Sequence, residues 1–249
     1  MRVFIGFDDT DNKEAEYGTG KLARWFEQVL PEGCVLWGVL RQQLLVHPDI
    51  PYTSHNSSAC VVAEMADPGL FSTLVERAVK HIEEYALPGS DPGLCLALEE
   101  DSSLTDLMQF GAFCTQKIMT QKQAITAAGK WRLSGHGGTQ DGVIGAAAAV
   151  GLTASGWAGR FIEFNRLRQC ADPIRIRKLE QMGIRVVSHD RDAKMPGPDD
   201  PVHTRGWLRP RMLGGQPVLI VQEQTKGVWE SLGKKAKEPH KNEKSNRQG

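Results

Sequence analysis

The stretch FIGFDDTDNKEAEYGTGKLARWFEQ, residues 4 to 28, decides the fold at the start of the chain. Residues 2–7 combine aromatic and β-branched side chains, which favour a β-strand. Residues 19–30 place apolar side chains three and four positions apart, which predicts a helix. The stretch therefore predicts a strand, an acidic loop and a helix. Three carboxylates crowd the end of that strand: Asp8, Asp9 and Asp11.

Strands and helices continue to alternate beyond this unit. Residues 70–87 form the clearest helical pattern, and residues 104–129 also look helical. The Ala-rich segment VIGAAAAVG predicts a helix whose small side chains let it approach another element closely. The order βα-ββ-αβ suits an α+β sandwich. Further strands are predicted at 34–46, at 59–65, at 93–99 and within GRFIEFNRL, RVVS and PVLIVQEQ, and a short helix within PIRIRKLEQMG, with Pro173 in its first turn.

The composition describes an ordinary globular chain. Its 249 residues hold 30 Lys plus Arg and 30 Asp plus Glu, so no basic field covers the whole molecule. The five cysteines form no C-x-x-C pair, which disfavours a structural zinc site and favours buried, reduced thiols. No apolar run approaches the roughly 20 residues of a membrane span, and the N-terminus does not resemble a signal peptide. We therefore expect a cytoplasmic protein, with a disordered and mildly basic tail at 233–249.

The acid cluster is the strongest candidate for a functional site. Adjacent carboxylates repel one another, and the usual compensation is a hard cation such as Mg²⁺ that bridges nucleotide phosphates. Asp8, Asp9 and Asp11 are therefore predicted to hold a metal ion and to act in catalysis. In the alternative, Asp11 caps a turn and the other two face solvent.

Two glycine-rich loops are candidate anion sites. Gly18, Gly20 and Lys21 precede or begin a predicted helix, although Ala15 stands where a P-loop needs glycine. Ordinary flexible turns explain such loops equally well. The second loop, GHGGTQDG, has the same character, and its His136 could act as an acid or base or simply be a surface residue. Its candidate anion-binding residues are Gly137, Gly138 and Thr139.

Two polar segments leave their interpretation open. HPDIPYTSHNSS, residues 47–58, carries two histidines without a metal-ligand spacing, so an ordered polar loop is favoured. DDPVHTRGWLRPR, residues 199–211, places a tryptophan among arginines, a combination that stacks on bases or binds phosphate. In the alternative, the second segment is an exposed loop with scattered charges.

The motifs taken together resemble those of archaeal tRNA-isoleucine agmatidine synthetases, which use ATP to attach agmatine to the anticodon cytidine of a tRNA. IGFDDTDN is similar to the family's Ile-Gly-Ile-Asp-Asp-Thr-Asp opening, and GVIGAAAAVGL to its Gly-x-Ile-Gly-Ala-Leu-Ala-Ala-Ile-Gly segment. These two matches are the most specific, and the resemblance covers roughly residues 1–222. Weaker matches are LLVHPDIPYTSHNSSACV, SDPGLCLAL and DPVHTRG.

The resemblance implies a fold and a set of roles. It implies two-layer α/β sandwiches: a kinase-like ATP-binding domain at 1–110 and a ferredoxin-like domain at 111–232. It also implies ATP and Mg²⁺ as cofactors, with Thr19 in the place of a threonine implicated in phosphoryl transfer. We assign nucleotide binding to Thr10, Gly18, Gly20, Lys21, Gly137, Gly138 and Thr139.

The sequence also departs from the family. Gly18-Thr19-Gly20 replaces the family's Cys-Thr-Thr, and Thr53-Ser54-His55-Asn56-Ser57 replaces a Lys-Thr-Arg-Gly-Asn loop. The chain ends before the family's OB-fold and zinc-ribbon domains, so we expect those dedicated tRNA-binding domains to be absent.

The predicted activity is ligase-like. ATP phosphorylates a carbonyl-type oxygen, and a primary amine such as agmatine displaces the phosphate, possibly on tRNA. Two alternatives remain: a stand-alone small-molecule kinase or amine ligase, and a nucleotide- or polyamine-binding module without turnover.

Overall fold

The computed structural model describes residues 1–52, 55–99 and 104–233. Most of the predicted tail at 233–249, and Thr53 and Ser54 of the departing loop, lie outside these residues. The helices are α1 (Thr19–Trp25), α2 (Phe71–Tyr85), α3 (Leu104–Cys114), α4 (Gln121–Ala128), α5 (Gly142–Ala154) and α6 (Ile176–Gln181). The strands are β1 (Arg2–Asp8), β2 (Cys34–Gln43), β3 (Ser57–Met65), β4 (Gly93–Leu98), β5 (Arg132–Gly135), β6 (Arg160–Glu163), β7 (Ile174–Arg175), β8 (Arg185–Ser188), β9 (Pro201–His203), β10 (Arg211–Leu213), β11 (Gln216–Thr225) and β12 (Val228–Ser231). Short 3₁₀ turns follow α1 at Phe26–Val29, precede α2 at Pro68–Leu70 and follow β6 at Leu167–Gln169.

One sheet runs through the whole described chain. Its strand order is β5-β4-β1-β3-β2-β6-β10-β11-β12-β9-β7, and β8 pairs with β11. β2 and β6 are hydrogen-bonded neighbours, so the N-terminal strands and the C-terminal strands share one sheet. The predicted α+β fold class is confirmed.

Helices cover both faces of the N-terminal part of the sheet. β1 is buried on both sides because its side chains alternate between two cores. Ile5 and Phe7 pack with Leu22 of α1 and Leu74 of α2. Phe4 faces the other core, which includes α3, α4 and α5. The end of β1 therefore emerges between two helical layers.

The Ala-rich helix α5 lies against the sheet at very short distance, as its composition predicts. A Cβ added at Gly6 of β1 would lie 2.2 Å from the carbonyl oxygen of Ala146. A Cβ added at Gly151 would lie 1.8 Å from the carbonyl oxygen of Leu107 in α3. Glycine at these contacts allows backbone to pack on backbone, which brings the start of α5 to the acidic end of β1.

The structure differs from the sequence prediction in the segment 104–129 and at Pro173. The helix predicted at 104–129 is two helices, because Thr120 begins α4 with a capping box in which it and Gln123 exchange hydrogen bonds. Pro173 precedes β7 and does not lie in the first turn of α6. The predicted domain boundary between residues 110 and 111 falls inside α3, and that division stays a prediction.

Most of the cysteines lie in the interior. All five cysteines are free, and four of them are buried. Among the described residues, no helix combines the length and the apolarity that a membrane crossing needs.

Candidate active site

A cavity of about 330 Å³ opens at the end of β1 and contains the predicted acid cluster. Asp8, Asp9 and Asp11 line it together with Thr19 of α1. The opposite walls come from the loop between β2 and β3, the α3–α4 connection and the first turn of α5. The four residues predicted to be catalytic therefore share one cavity.

Asp8 lies against the first turn of α5. It stays partly exposed to the cavity, but burial raises its pKa to about 8, and the neighbouring charge of Asp9 adds to the shift. The backbone N–H of Asp9 donates to the Asp8 carboxylate and opposes that rise. A Cβ added at Gly145 would lie 1.7 Å from Asp8 Oδ2, so only glycine at that position of α5 leaves room for the carboxylate. The first turn of α5 and the acid cluster therefore pack directly against each other.

Asp9 lies near carboxylates from several parts of the chain. Its φ of 47° is uncommon for a residue other than glycine, and such backbone strain is frequent at functional sites. Burial raises its pKa to about 6, with further increases from Asp91, Asp11 and Asp141. Excess negative charge therefore surrounds Asp9.

Thr19, the first residue of α1, lies beside the acids in the cavity. Its Oγ1 accepts hydrogen bonds from the Thr10 backbone N–H at 3.3 Å and from the Thr10 hydroxyl at 3.0 Å. Its side chain is largely buried, with 7% of the residue exposed. Thr10 is fully buried and does not line the cavity, so it supports Thr19 from behind. Gly18 lies close to the Asp11 carboxylate, because a Cβ there would be 2.9 Å from Asp11 Oδ2.

The donor set fits a magnesium ion that is shared with a ligand. Among the described residues, no group of three or more His, Cys, Asp or Glu side chains is arranged to hold a metal ion. Mg²⁺ is usually bound through one or two carboxylates plus substrate phosphates and water. Burial, with repulsion among the neighbouring carboxylates, raises the pKa values of Asp8 and Asp9, so a bound cation would favour their ionised forms. This arrangement suits a metal–phosphate complex better than a cage built from protein ligands alone.

A larger, basic cleft of about 750 Å³ adjoins the acid cavity. The two share Asp11, Thr19, His55 and Ser57. Asp11 is the only acidic residue among those that line the cleft in the described part of the chain. Its cations are Lys21, Arg24, Arg41, Arg160, Arg168 and Arg209.

Arg209 and Trp207 show how this cleft concentrates charge. The Arg209 guanidinium lies 4.0 Å from the ring centroid of Trp207. Burial, with repulsion from Arg168 and Arg24, lowers the Arg209 pKa to about 10. Its buried Nε has no hydrogen-bond acceptor within the described ranges. The predicted Trp–Arg combination in residues 199–211 therefore lines the cleft.

Three arginines form a ladder that extends beyond the cleft. Arg160 on β6 stands directly opposite Arg41 of β2 and Arg211 of β10. Like charges directly opposite one another destabilise a sheet. Burial lowers the Arg160 pKa, and the charges of Arg211 and Arg41 lower it further. All three also line a cavity of about 410 Å³ in which no described lining residue is acidic.

The candidate anion-binding residues of the second glycine loop lie apart from the acid cavity. Gly137, Gly138 and Thr139 line none of the three cavities described above. The backbone N–H and the hydroxyl of Thr139 both donate to the Asp91 carboxylate, at 2.7 and 2.6 Å. The donors expected to bind a phosphate there already bind a carboxylate of the chain.

The first glycine loop lines the cleft. Gly18, Gly20 and Lys21 face the basic cleft, and the Lys21 ammonium lies 5.2 Å from the Trp25 ring centroid. Their role in nucleotide binding stays a prediction.

Lys117 is a functional candidate that the sequence did not suggest. It lies in the α3–α4 connection and is the only Lys or Arg among the described residues that line the acid cavity. Its ammonium lies 4.0 Å from the Phe113 ring centroid. The segment was predicted as continuous helix, so nothing marked this lysine as part of a loop over the acids.

Comparison with known proteins gives structural relatives. No family model matches the chain, and no curated protein does. A crystal structure of a tRNA fluorescent labeling enzyme is similar, with a TM-score of 0.52 and 30% identity over 61% of this chain and 36% of that one. The complex of TiaS with its isoleucine tRNA and ATP is similar, with a TM-score of 0.52 and 28% identity over 61% of this chain and 36% of that one. The complex of TiaS with the same tRNA, AMPCPP and agmatine gives a TM-score of 0.50 and 29% identity, again over 61% and 36%.

These relatives are longer than the region they share with this chain, which spans about a third of their length. TiaS is an agmatidine synthetase that acts on an isoleucine tRNA. The predicted resemblance to the agmatidine synthetases is therefore confirmed, over the 61% of the chain that aligns.

Proposed function

We propose that this protein is an ATP- and Mg²⁺-dependent enzyme that activates a carbonyl-type oxygen by phosphorylation, so that a primary amine can replace it. The observation that carries the proposal is the cavity in which Asp8, Asp9, Asp11 and Thr19 meet. The similarity to TiaS complexes with ATP and with an ATP analogue supports nucleotide as the phosphoryl donor.

The acids would position the donor. Burial and repulsion between neighbouring carboxylates raise the pKa values of Asp8 and Asp9, and a divalent ion bound with a triphosphate would favour their ionised forms. When bound, Mg²⁺ neutralises phosphate oxygens as charge develops on them. Lys117, above the same cavity, would add a positive charge beside the transferred phosphoryl group.

Thr19 would receive or relay the phosphoryl group. Thr19 lines both the acid cavity and the basic cleft, which supports a role between the phosphoryl donor and its acceptor. The two hydrogen bonds from Thr10 orient that hydroxyl.

The basic cleft supports a polyanionic acceptor. Six cations and Trp207 line it, a combination suited to phosphates and to stacking of an unpaired base. TiaS has been crystallised with tRNA and with agmatine, and we propose tRNA as the acceptor and an agmatine-like amine as the nucleophile.

A second candidate is a binding module without turnover. Thr19 is largely buried and its oxygen already accepts two hydrogen bonds, which favours a structural hydroxyl. A Thr19→Ser variant keeps the hydroxyl and Thr19→Ala removes it. If Thr19 is catalytic, Thr19→Ser should keep ATP turnover and Thr19→Ala should lose it by roughly 10²-fold. If the protein is a binding module, calorimetry should show ATP·Mg²⁺ binding, and neither the wild type nor either variant should produce AMP or ADP.

Mass spectrometry of tRNA tests the proposed function. The protein is incubated with total tRNA, Mg²⁺, ATP and agmatine, and the nucleosides are compared with a reaction that lacks ATP. We expect an ATP-dependent mass increase on cytidine equal to agmatine minus water. ATP consumption with unchanged tRNA would instead indicate a small-molecule acceptor, and absence of both would contradict an enzymatic function.

A further inference from the structure

A second group of reactive side chains lies at the sheet edge, away from the acid cavity. Ser134 belongs to β5, the end strand of the sheet, and His136 follows it two residues later. Glu83 belongs to α2. Ser134 pairs with Leu94, whose side chain packs in the core beneath α2, so Ser134 faces that helix. None of the three residues lines the acid cavity or the basic cleft.

The three side chains form one hydrogen-bonded relay. Ser134 Oγ lies 2.8 Å from His136 Nε2, and His136 Nδ1 lies 3.1 Å from Glu83 Oε1. An ionised carboxylate only accepts hydrogen bonds, so Nδ1 carries the proton that it donates to Glu83. In the neutral imidazole, Nε2 is then unprotonated and accepts the proton of the Ser134 hydroxyl. The relay therefore has the direction that nucleophilic catalysis requires.

Burial isolates the middle of the relay and leaves its ends accessible. The His136 side chain is 7% exposed and that of Glu83 is 58% exposed. Ser134 is partly exposed. Water can thus reach both ends, while the imidazole stays shielded.

The backbone beside Ser134 supplies a donor at the open edge. The N–H of His136 donates to the carbonyl oxygen of Pro92, so the amides of residues 134 and 136 face β4. The intervening amide of Gly135 therefore faces the free edge of the sheet. In acyl-transfer enzymes, the N–H of the residue after the nucleophile commonly stabilises the oxyanion.

We infer that Ser134, His136 and Glu83 form a serine-nucleophile site that acts on esters. Ser134 Oγ attacks the ester carbonyl carbon, and its proton moves to His136 Nε2. The bond to the leaving oxygen breaks, and that proton passes to the alcohol. Water then attacks the acyl-serine through the same nitrogen, which releases the acid and restores the serine hydroxyl. Glu83 stabilises the imidazolium in both steps.

A fluorescent fluorophosphonate tests this inference on the full chain, with peptide mapping to locate the label. We expect label on Ser134 and none on that peptide in Ser134→Ala. Glu83→Gln should slow labelling and p-nitrophenyl acetate hydrolysis by roughly 10²-fold, because the amide does not stabilise the imidazolium. Ser72→Ala and Glu84→Gln, exposed positions on the same helix as Glu83, are the matched controls and should react like the wild type.

The outcomes separate catalysis from a structural contact. Unlabelled Ser134 in the folded wild-type protein would overturn the inference, and so would labelling that Glu83→Gln leaves unchanged. Because Glu83 is exposed, its substitution tests the relay even if Ser134→Ala fails to fold.

Discussion

Asp8 shows at the scale of one residue how burial and a neighbouring negative charge both disfavour the ionised form of a carboxyl group. Gly145 of α5 lies against its carboxylate, and Asp9 adds a second negative charge. A carboxylate in this position is costly to ionise, and two neighbouring acids cannot both ionise easily. An ion or ligand that neutralises the cluster would remove that cost.

Asp8→Asn should abolish Mg²⁺-dependent ATP turnover while the fold survives. The amide has nearly the same shape but offers no negative charge to a metal ion. We expect at least a roughly 10²-fold loss of ATP turnover, with unchanged circular dichroism. Full turnover in this variant would remove the proposed role of the acid cluster.

The raised pKa of Asp8 also predicts how stability depends on pH. The carboxyl has a pKa of about 8 in the folded chain and about 3.9 in the unfolded chain. Between these values the folded state holds one more proton, so the free energy of unfolding falls as pH rises, by at most about 1.4 kcal/mol per pH unit. Urea titrations from pH 5 to 8 check this, and Asp8→Asn should flatten the slope.

At the scale of elements, α5 depends on glycine at its contacts. Gly151→Ala should destabilise the protein by about 1–3 kcal/mol, because the new methyl group would overlap the Leu107 carbonyl and push α3 away. Equilibrium denaturation measures this loss. Glu76→Ala, on the exposed side of α2, is the control and should change little. Equal effects from both substitutions would contradict the close packing of α3 on α5.

The longer elements were predictable because their side chains repeat at a regular spacing. α2 and β1 begin and end within two residues of their predicted bounds. The strands β7, β9 and β10 have two or three residues each and are too short to show a period. The break before α4 did carry a signal, since Thr120 and Gln123 have the spacing of a capping box.

At the scale of the whole molecule, neutral net charge conceals strong segregation. The acid cavity and the basic cleft lie side by side, although Lys plus Arg equals Asp plus Glu at 30 each. The acid cluster was visible because its members are adjacent in sequence. The arginine ladder was not, because Arg41, Arg160 and Arg211 meet only through strand pairing.

This segregation predicts salt-sensitive RNA binding. Fluorescence anisotropy with a labelled single-stranded RNA should show affinity falling as salt rises, since arginines that bind phosphates displace the counterions condensed on the RNA. Arg211→Ala should reduce the slope of log affinity against log salt by about 0.7. Arg185→Ala, an exposed arginine on β8, is the control. Identical slopes in the two variants would exclude the ladder from the RNA contact.

The hydrogen bonds between β2 and β6 have a consequence for any large substrate. Arg41 of β2 and Arg160 of β6 are partners in that pairing and both line the basic cleft, so the sheet itself sets the spacing between these two arginine-bearing strands. For the RNA acceptor proposed above, the reacting nucleotide would have to leave its stack to reach an opening bounded in this way.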